Sequence, residues 1–127
     1  MHKITVLVVS SAALSQVIRH ILRGRPEFEV VASSGGFQSL ESRLSPVPEL
    51  IVVNVKPVRT GICRAVASIK ESSPASKLIV VCPVREFASE ARRCGADAYL
   101  NHENLVGQFV RLARTLSTRS KPAGCGS

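Results

Sequence analysis

Apolar residues in this chain follow two alternating rhythms. Five short continuous runs, Ile4–Val9, Phe28–Ala32, Leu50–Val55, Leu78–Cys82 and Ala98–Leu100, are rich in β-branched residues or unbroken by polar ones. Runs of this kind, bounded by polar or turn residues, predict parallel strands buried on both faces. The intervening segments switch to helical spacing. Leu14, Val17, Ile18, Ile21 and Leu22 form one stripe, Ile62, Ala65, Val66 and Ile69 a second, and Leu105, Phe109, Leu112, Ala113 and Leu116 a third. Two weaker stripes fill the gaps. Phe37, Leu40 and Leu44 follow the turn "SSGG" and stop before Pro46, and Phe87, Ala88, Ala91 and Cys94 end at Gly95, a residue suited to a helix C-terminus. Strand and helix thus alternate five times. The pattern predicts an α/β domain, a (βα)5 doubly wound five-stranded parallel sheet with helices on both faces.

A length of 127 residues suits one domain, placed at 1–117, and the tail 118–127, with "STRSKPAGCGS" spanning the boundary, reads as a linker or free end. A hydrophobic content of 45% argues for a packed core. No apolar run approaches the roughly 18 residues of a membrane helix. The N-terminal "MHKITVLVVSSAALS" has basic residues before an apolar stretch, but Ile4–Val9 is too short for a secretory segment, so the expected location is the cytoplasm. Cys63, Cys82, Cys94 and Cys125 contain no C-x-x-C pair and no interleaved histidines. The first three lie in apolar patterns, where cysteine usually serves as a small buried hydrophobe. The net charge of +8 raises the question of a nucleic-acid or acidic-protein partner. With one tyrosine, no tryptophan and no aromatic-interleaved basic motif, direct nucleic-acid binding is not the expectation.

In open parallel sheets, ligands and chemistry sit at the carboxyl ends of the strands. Here those ends carry Ser10 and Ser11, Asn54, Cys82 with Pro83, and Asn101 with His102. The first loop has no glycine pattern for a dinucleotide or a flavin, and the chain has no G-K-[ST] phosphate loop.

That set of strand ends resembles the active face of the response-regulator receiver domain of bacterial two-component signalling, the chemotaxis-regulator-like family. The likeness covers Ile4 to about Leu116, and "EARRCGADAYLNHE" (Glu90–Glu103) is its most specific piece. "RPEFEVVASSGG" is similar to the corresponding segment of receivers that precede a helix-turn-helix DNA-binding domain. The resemblance implies a flavodoxin-like receiver fold in a bacterial two-component or phosphorelay setting. In the family an aspartate ending the third strand accepts a phosphoryl group, an acidic pair holds Mg²⁺, and a hydroxyl and a lysine contact the phosphoryl group. On this chain the resemblance puts the phospho-acceptor position at Asn54, the acidic pair at Ser10 and Ser11, and the switch positions at Cys82, Tyr99 and His102. The loop "NVKPVRTG" is one residue shorter than the family's usual loop.

The chemistry follows from the residue types. An acyl phosphate needs a carboxylate nucleophile, and Mg²⁺ needs hard, preferably anionic oxygens. Asn54 is a neutral amide, Ser10 and Ser11 offer neutral oxygens, and the single aspartate, Asp97, precedes a strand instead of following one. The expected protein is therefore a pseudo-receiver with no catalytic residue, metal or cofactor. It would work by phosphorylation-independent protein–protein interaction in signal transduction or transcriptional regulation. A homodimer or protein partner would engage the fourth and fifth predicted helices, where Arg85, Arg92, Arg93, Arg111 and Arg114 lie, and a DNA-binding effector domain could follow in a longer parent chain. The alternative is a small-ligand or thiol-redox sensor centred on Cys82 and His102. A third reading, nucleic-acid contact through the basic surface, would show as binding that collapses with salt.

Overall fold

The computed structural model describes residues 4–9, 12–34, 48–55 and 59–120. Five strands, β1 (Ile4–Val9), β2 (Phe28–Ser34), β3 (Leu50–Asn54), β4 (Lys77–Cys82) and β5 (Ala98–Asn101), form one all-parallel sheet in the order β2-β1-β3-β4-β5. Four helices are described: α1 (Ala12–Leu22), α2 (Arg59–Ser72), α3 (Ala88–Cys94) and α4 (Leu105–Ser120). The helix expected over Phe37–Leu44 lies outside the described residues, as do Ser10, Ser11 and the tail beyond Ser120.

Period-two alternation in the strands sorts their side chains into two cores. Val6, Val8, Leu50, Val52, Ile79 and Val81 point to one face, where Ile18 and Leu22 of α1 and Phe109, Ala113 and Leu116 of α4 cover them. Leu7, Val9, Ile51, Val53 and Val80 point to the other, under Ile62, Val66 and Ile69 of α2 and Ala91 of α3. This two-sided burial is why these runs read as continuous rather than alternating. The strand order reverses beside β1, with β2 on one side and β3 on the other, which opens a crevice at the carboxyl ends of those strands.

The helix ends are set locally. Gly95 closes α3 with φ near 121°, a left-handed conformation strained for other residues, and its N–H donates to the Arg92 carbonyl at 3.1 Å. Gly24, also at positive φ (80°), turns the chain out of α1 toward β2. Before α4, Asn101 and Asn104 bond reciprocally. The Asn101 N–H donates to Asn104 Oδ1 (3.0 Å) and the Asn104 N–H to Asn101 Oδ1 (2.9 Å), which locks the β5–α4 turn.

At the amino ends of the strands, Asp97 Oδ2 accepts from Lys70 Nζ at 2.7 Å and from the Leu78 N–H at 2.8 Å. Lys70 also donates to the Ser76 carbonyl (3.1 Å), so one ion pair joins α2, β4 and the start of β5. The paired side chains are about a quarter exposed, so the contact is only partly screened.

The cysteines correct the sequence expectation. Cys82 is a buried thiol as anticipated, but Cys63 and Cys94 are half-buried and joined as a disulfide between α2 and α3, with Cα atoms 5.3 Å apart. Sequence spacing of 31 gives no hint of this, because the helices that bring the two together meet only in the folded sheet.

Two outcomes are expected. Asp97→Ala should lower unfolding free energy by about 2 kcal/mol, because it strips a charged partner from Lys70 and a backbone N–H. Reduction of the disulfide should lower it by about 3 kcal/mol through a less restricted unfolded chain. Urea unfolding of wild type, variant and reduced protein checks both.

Candidate functional site

β3 delivers Asn54 to the carboxyl edge of the sheet, paired in register with Val81. Its backbone is held by the ladder, and the next residue continues it, the Val55 N–H donating to the Val81 carbonyl at 2.9 Å. The side chain is half-buried, and its Oδ1 is enclosed without a hydrogen-bond donor among the described residues. Ser10 and Ser11 lie outside the described residues, so of the expected acceptor and acidic-pair positions the structure describes Asn54.

One rung away, Cys82 ends β4 with no solvent exposure and pairs with Asn101 of β5. Tyr99, on the same face, is 9% exposed and donates its hydroxyl to the Val84 carbonyl in the loop after β4. Burial, and then the Cys82 sulfur beside it, push the Tyr99 hydroxyl well above the usual phenol range. Tyr99, expected as the switch aromatic, is therefore turned inward and tied to the β4–α3 loop. His102, by contrast, is exposed in the turn after β5. The sensor reading centres on Cys82 and His102. The fold seals one inside and leaves the other in solvent, with no hydrogen bond between them among the described residues.

The remaining candidate chemistry is equally constrained. Asp97 is spent at the opposite end of the sheet from Asn54, on Lys70 and the Leu78 N–H. No group of three or more His, Cys, Asp or Glu side chains able to hold a metal occurs among the described residues. No helix among them is long and apolar enough to cross a membrane. Of the arginines assigned to the fourth and fifth predicted helices, Arg85 falls instead in the loop before α3, Arg92 and Arg93 lie on α3 and Arg111 and Arg114 on α4, and these helices pack on opposite sides of the sheet. Arg114 is paired, its Nε donating to Glu27 Oε2 at 2.6 Å, and this bond chiefly holds the Glu27 carboxyl below its ordinary range. Sequence reasoning missed Asn104, the partner that fixes the His102 turn. An asparagine three residues after Asn101, immediately before an apolar helical stripe, is the signal that could have found it.

No protein-family model matches the sequence, and no curated protein matches it. Solved structures do. The chain is similar to a LuxR-family two-component response regulator from Aurantimonas sp. SI85-9A1, at 17% identity, over 94% of this chain and 87% of that one, with TM-score 0.77. It is similar to the response regulator domain of Thermotoga maritima CheB, at 23% identity, over 92% and 98%, with TM-score 0.76. It also matches a chain of the complex between the CheA3 P1 domain and CheY6 from R. sphaeroides, at 24% identity, over 93% and 99%, with TM-score 0.74. The chain thus has the α/β response-regulator receiver fold.

The inward tyrosine gives a pH signature. Its folded-state pKa is raised, so its contribution to stability is complete below pH 10.0, the ordinary value, and is lost as pH rises above that toward the folded value. Tyr99 is the single tyrosine, so tyrosinate absorbance reports it alone. The expected result is no tyrosinate at pH 10 while the fold persists, then absorbance and loss of helical signal rising together. Tyr99→Phe should flatten that alkaline slope, at a cost of about 1 kcal/mol at neutral pH for the lost hydrogen bond.

Proposed function

We propose that this domain is a pseudo-receiver, a two-component receiver scaffold that acts by protein–protein contact without being phosphorylated. The observation that carries the reading is the placement of charge. The amide of Asn54 occupies the strand end where the fold hosts its nucleophile, and the chain's one aspartate is committed to Lys70 and a backbone N–H at the far end of the sheet. An amide lacks both the nucleophilicity for an acyl phosphate and the charge to hold a dication.

A cytoplasmic role in a bacterial signalling or transcriptional regulator follows as the natural setting. The similar chains include a LuxR-family response regulator and a member of a complex with a CheA3 P1 domain. On this reading the surface around α3, β5 and α4 meets a second copy or a protein partner, and a DNA-binding effector domain follows 118–127 in a longer parent chain. The domain itself is not an enzyme and takes no cofactor. The sensor alternative has less support, since a thiol with no exposed surface is a poor target for an oxidant and His102 does not reach it.

The test is intact-mass spectrometry after incubation with Mg²⁺ and acetyl phosphate. No phosphoryl adduct is expected on the wild type. None is expected on Asn54→Asp either, because Ser10 and Ser11 still give the dication only neutral oxygens. A stable adduct on the wild-type chain overturns the reading.

A further inference from the structure

Among the described residues, the two large hydrophobic side chains left exposed are Val17 (39%) and Val106 (66%). They lie across from one another. Val17 with Ile21 on α1, and Val106 with Val110 on α4, line an open groove of about 780 Å³ between the two helices. Its α1 side is strongly basic, lined by Arg19, His20, Arg23 and, just past the helix, Arg25. No lining residue is acidic. The carboxylate nearest in sequence, Glu27, accepts from Arg114, and Arg25 acts on it only through space.

Gly107 completes the shape. Its backbone is ordinary helix, not positive φ, and a Cβ there would meet nothing within 4 Å. Neither conformation nor crowding calls for glycine. In a helix glycine costs up to about 1 kcal/mol relative to alanine. What its absence of a side chain provides is room on α4 alongside Val106 and Val110.

We infer that the α1–α4 groove docks an acidic amphipathic helix of a protein partner. A channel between two helices with an apolar floor fits a third helix, whose residues at i, i+3 or i+4 and i+7 settle over the valines. Its flanking carboxylates meet Arg19, Arg23 and Arg25. A second copy presenting the same groove does not suit this face, because Arg19, Arg23 and Arg25 would meet their own copies. Nucleic acid would leave the apolar floor unused and find no aromatic side chain lining the groove for stacking. A membrane surface calls for a continuous apolar face, and only two large apolar side chains are exposed among the described residues. The inference rests on the protein-interaction reading and adds to it a second surface, distinct from the one around α3, β5 and α4, with a stated partner chemistry.

The test uses the full chain, ¹⁵N-labelled, and a synthetic helical peptide with leucine at i, i+4, i+7 and i+11 and glutamate on both flanks. The expected result is saturable amide shifts concentrated in residues 16–25 and 105–111. Affinity should fall by roughly tenfold or more in Arg19→Glu/Arg23→Glu and in Gly107→Trp, which fills the channel, and stay unchanged in Gly107→Ala. The charge-reversed pair keeps the test decisive if the tryptophan variant folds poorly. Absence of saturable binding, shifts mapping elsewhere, or equal affinity for a lysine-for-glutamate peptide each overturns the inference. So does tighter engagement of the same residues by duplex DNA or by phosphatidylglycerol vesicles. All titrations are done without phosphodonor. A phosphoryl adduct thus counts against the pseudo-receiver reading alone, and failure of the peptide counts against the groove alone.

Discussion

A strand buried on both faces can satisfy its backbone only through its neighbours, and it can display a polar side chain only where it ends. β1, β3 and β4 are such strands, and this constraint organises the molecule. Every group with chemistry is pushed to one rim of the sheet or the other. Asn54 and the His102 turn gather at the carboxyl rim, and Asp97 with Lys70 gathers at the amino rim. Because the two rims are separated by the length of the strands, Asp97 at one does not meet Asn54 at the other.

Much of this was legible in the sequence because burial on both sides leaves a loud pattern. The run Leu78–Cys82 has no polar interruption, Ile4–Val9 has Thr5 alone, and the stripe from Leu105 to Leu116 has the period of a half-buried helix. Gly95 announced the end of α3 for a stereochemical reason that holds in any context. The position of Asn54 at the end of β3 was legible too, since a polar side chain in a buried run falls where the strand stops. What stayed hidden depends on tertiary neighbours. The Cys63–Cys94 bond exists because two helices on one face of the sheet lie side by side. The inward turn of Tyr99 depends on a carbonyl in a loop fifteen residues earlier. Arg114 looked free on its helix, yet it reaches Glu27 across 87 residues of sequence.

The two faces of the sheet also differ in how they are closed. The face under α2 and α3 is fastened by a covalent bond and by the Lys70–Asp97 pair at its base. The face under α1 and α4 is held by side-chain packing and the exposed Arg114–Glu27 pair, and it is here that apolar surface remains open. The sheet thus has one flank that is covalently fastened and one that leaves apolar surface exposed.

The disulfide has a topological side as well. The covalent ring it closes runs from Cys63 through the rest of α2, the whole of β4 and all of α3 to Cys94, so a strand of the sheet interior lies within the loop. A single backbone cut anywhere inside that ring, for instance at the exposed Pro83–Glu86 turn, opens the ring without dividing the chain. The two pieces remain one molecule until the sulfurs are reduced.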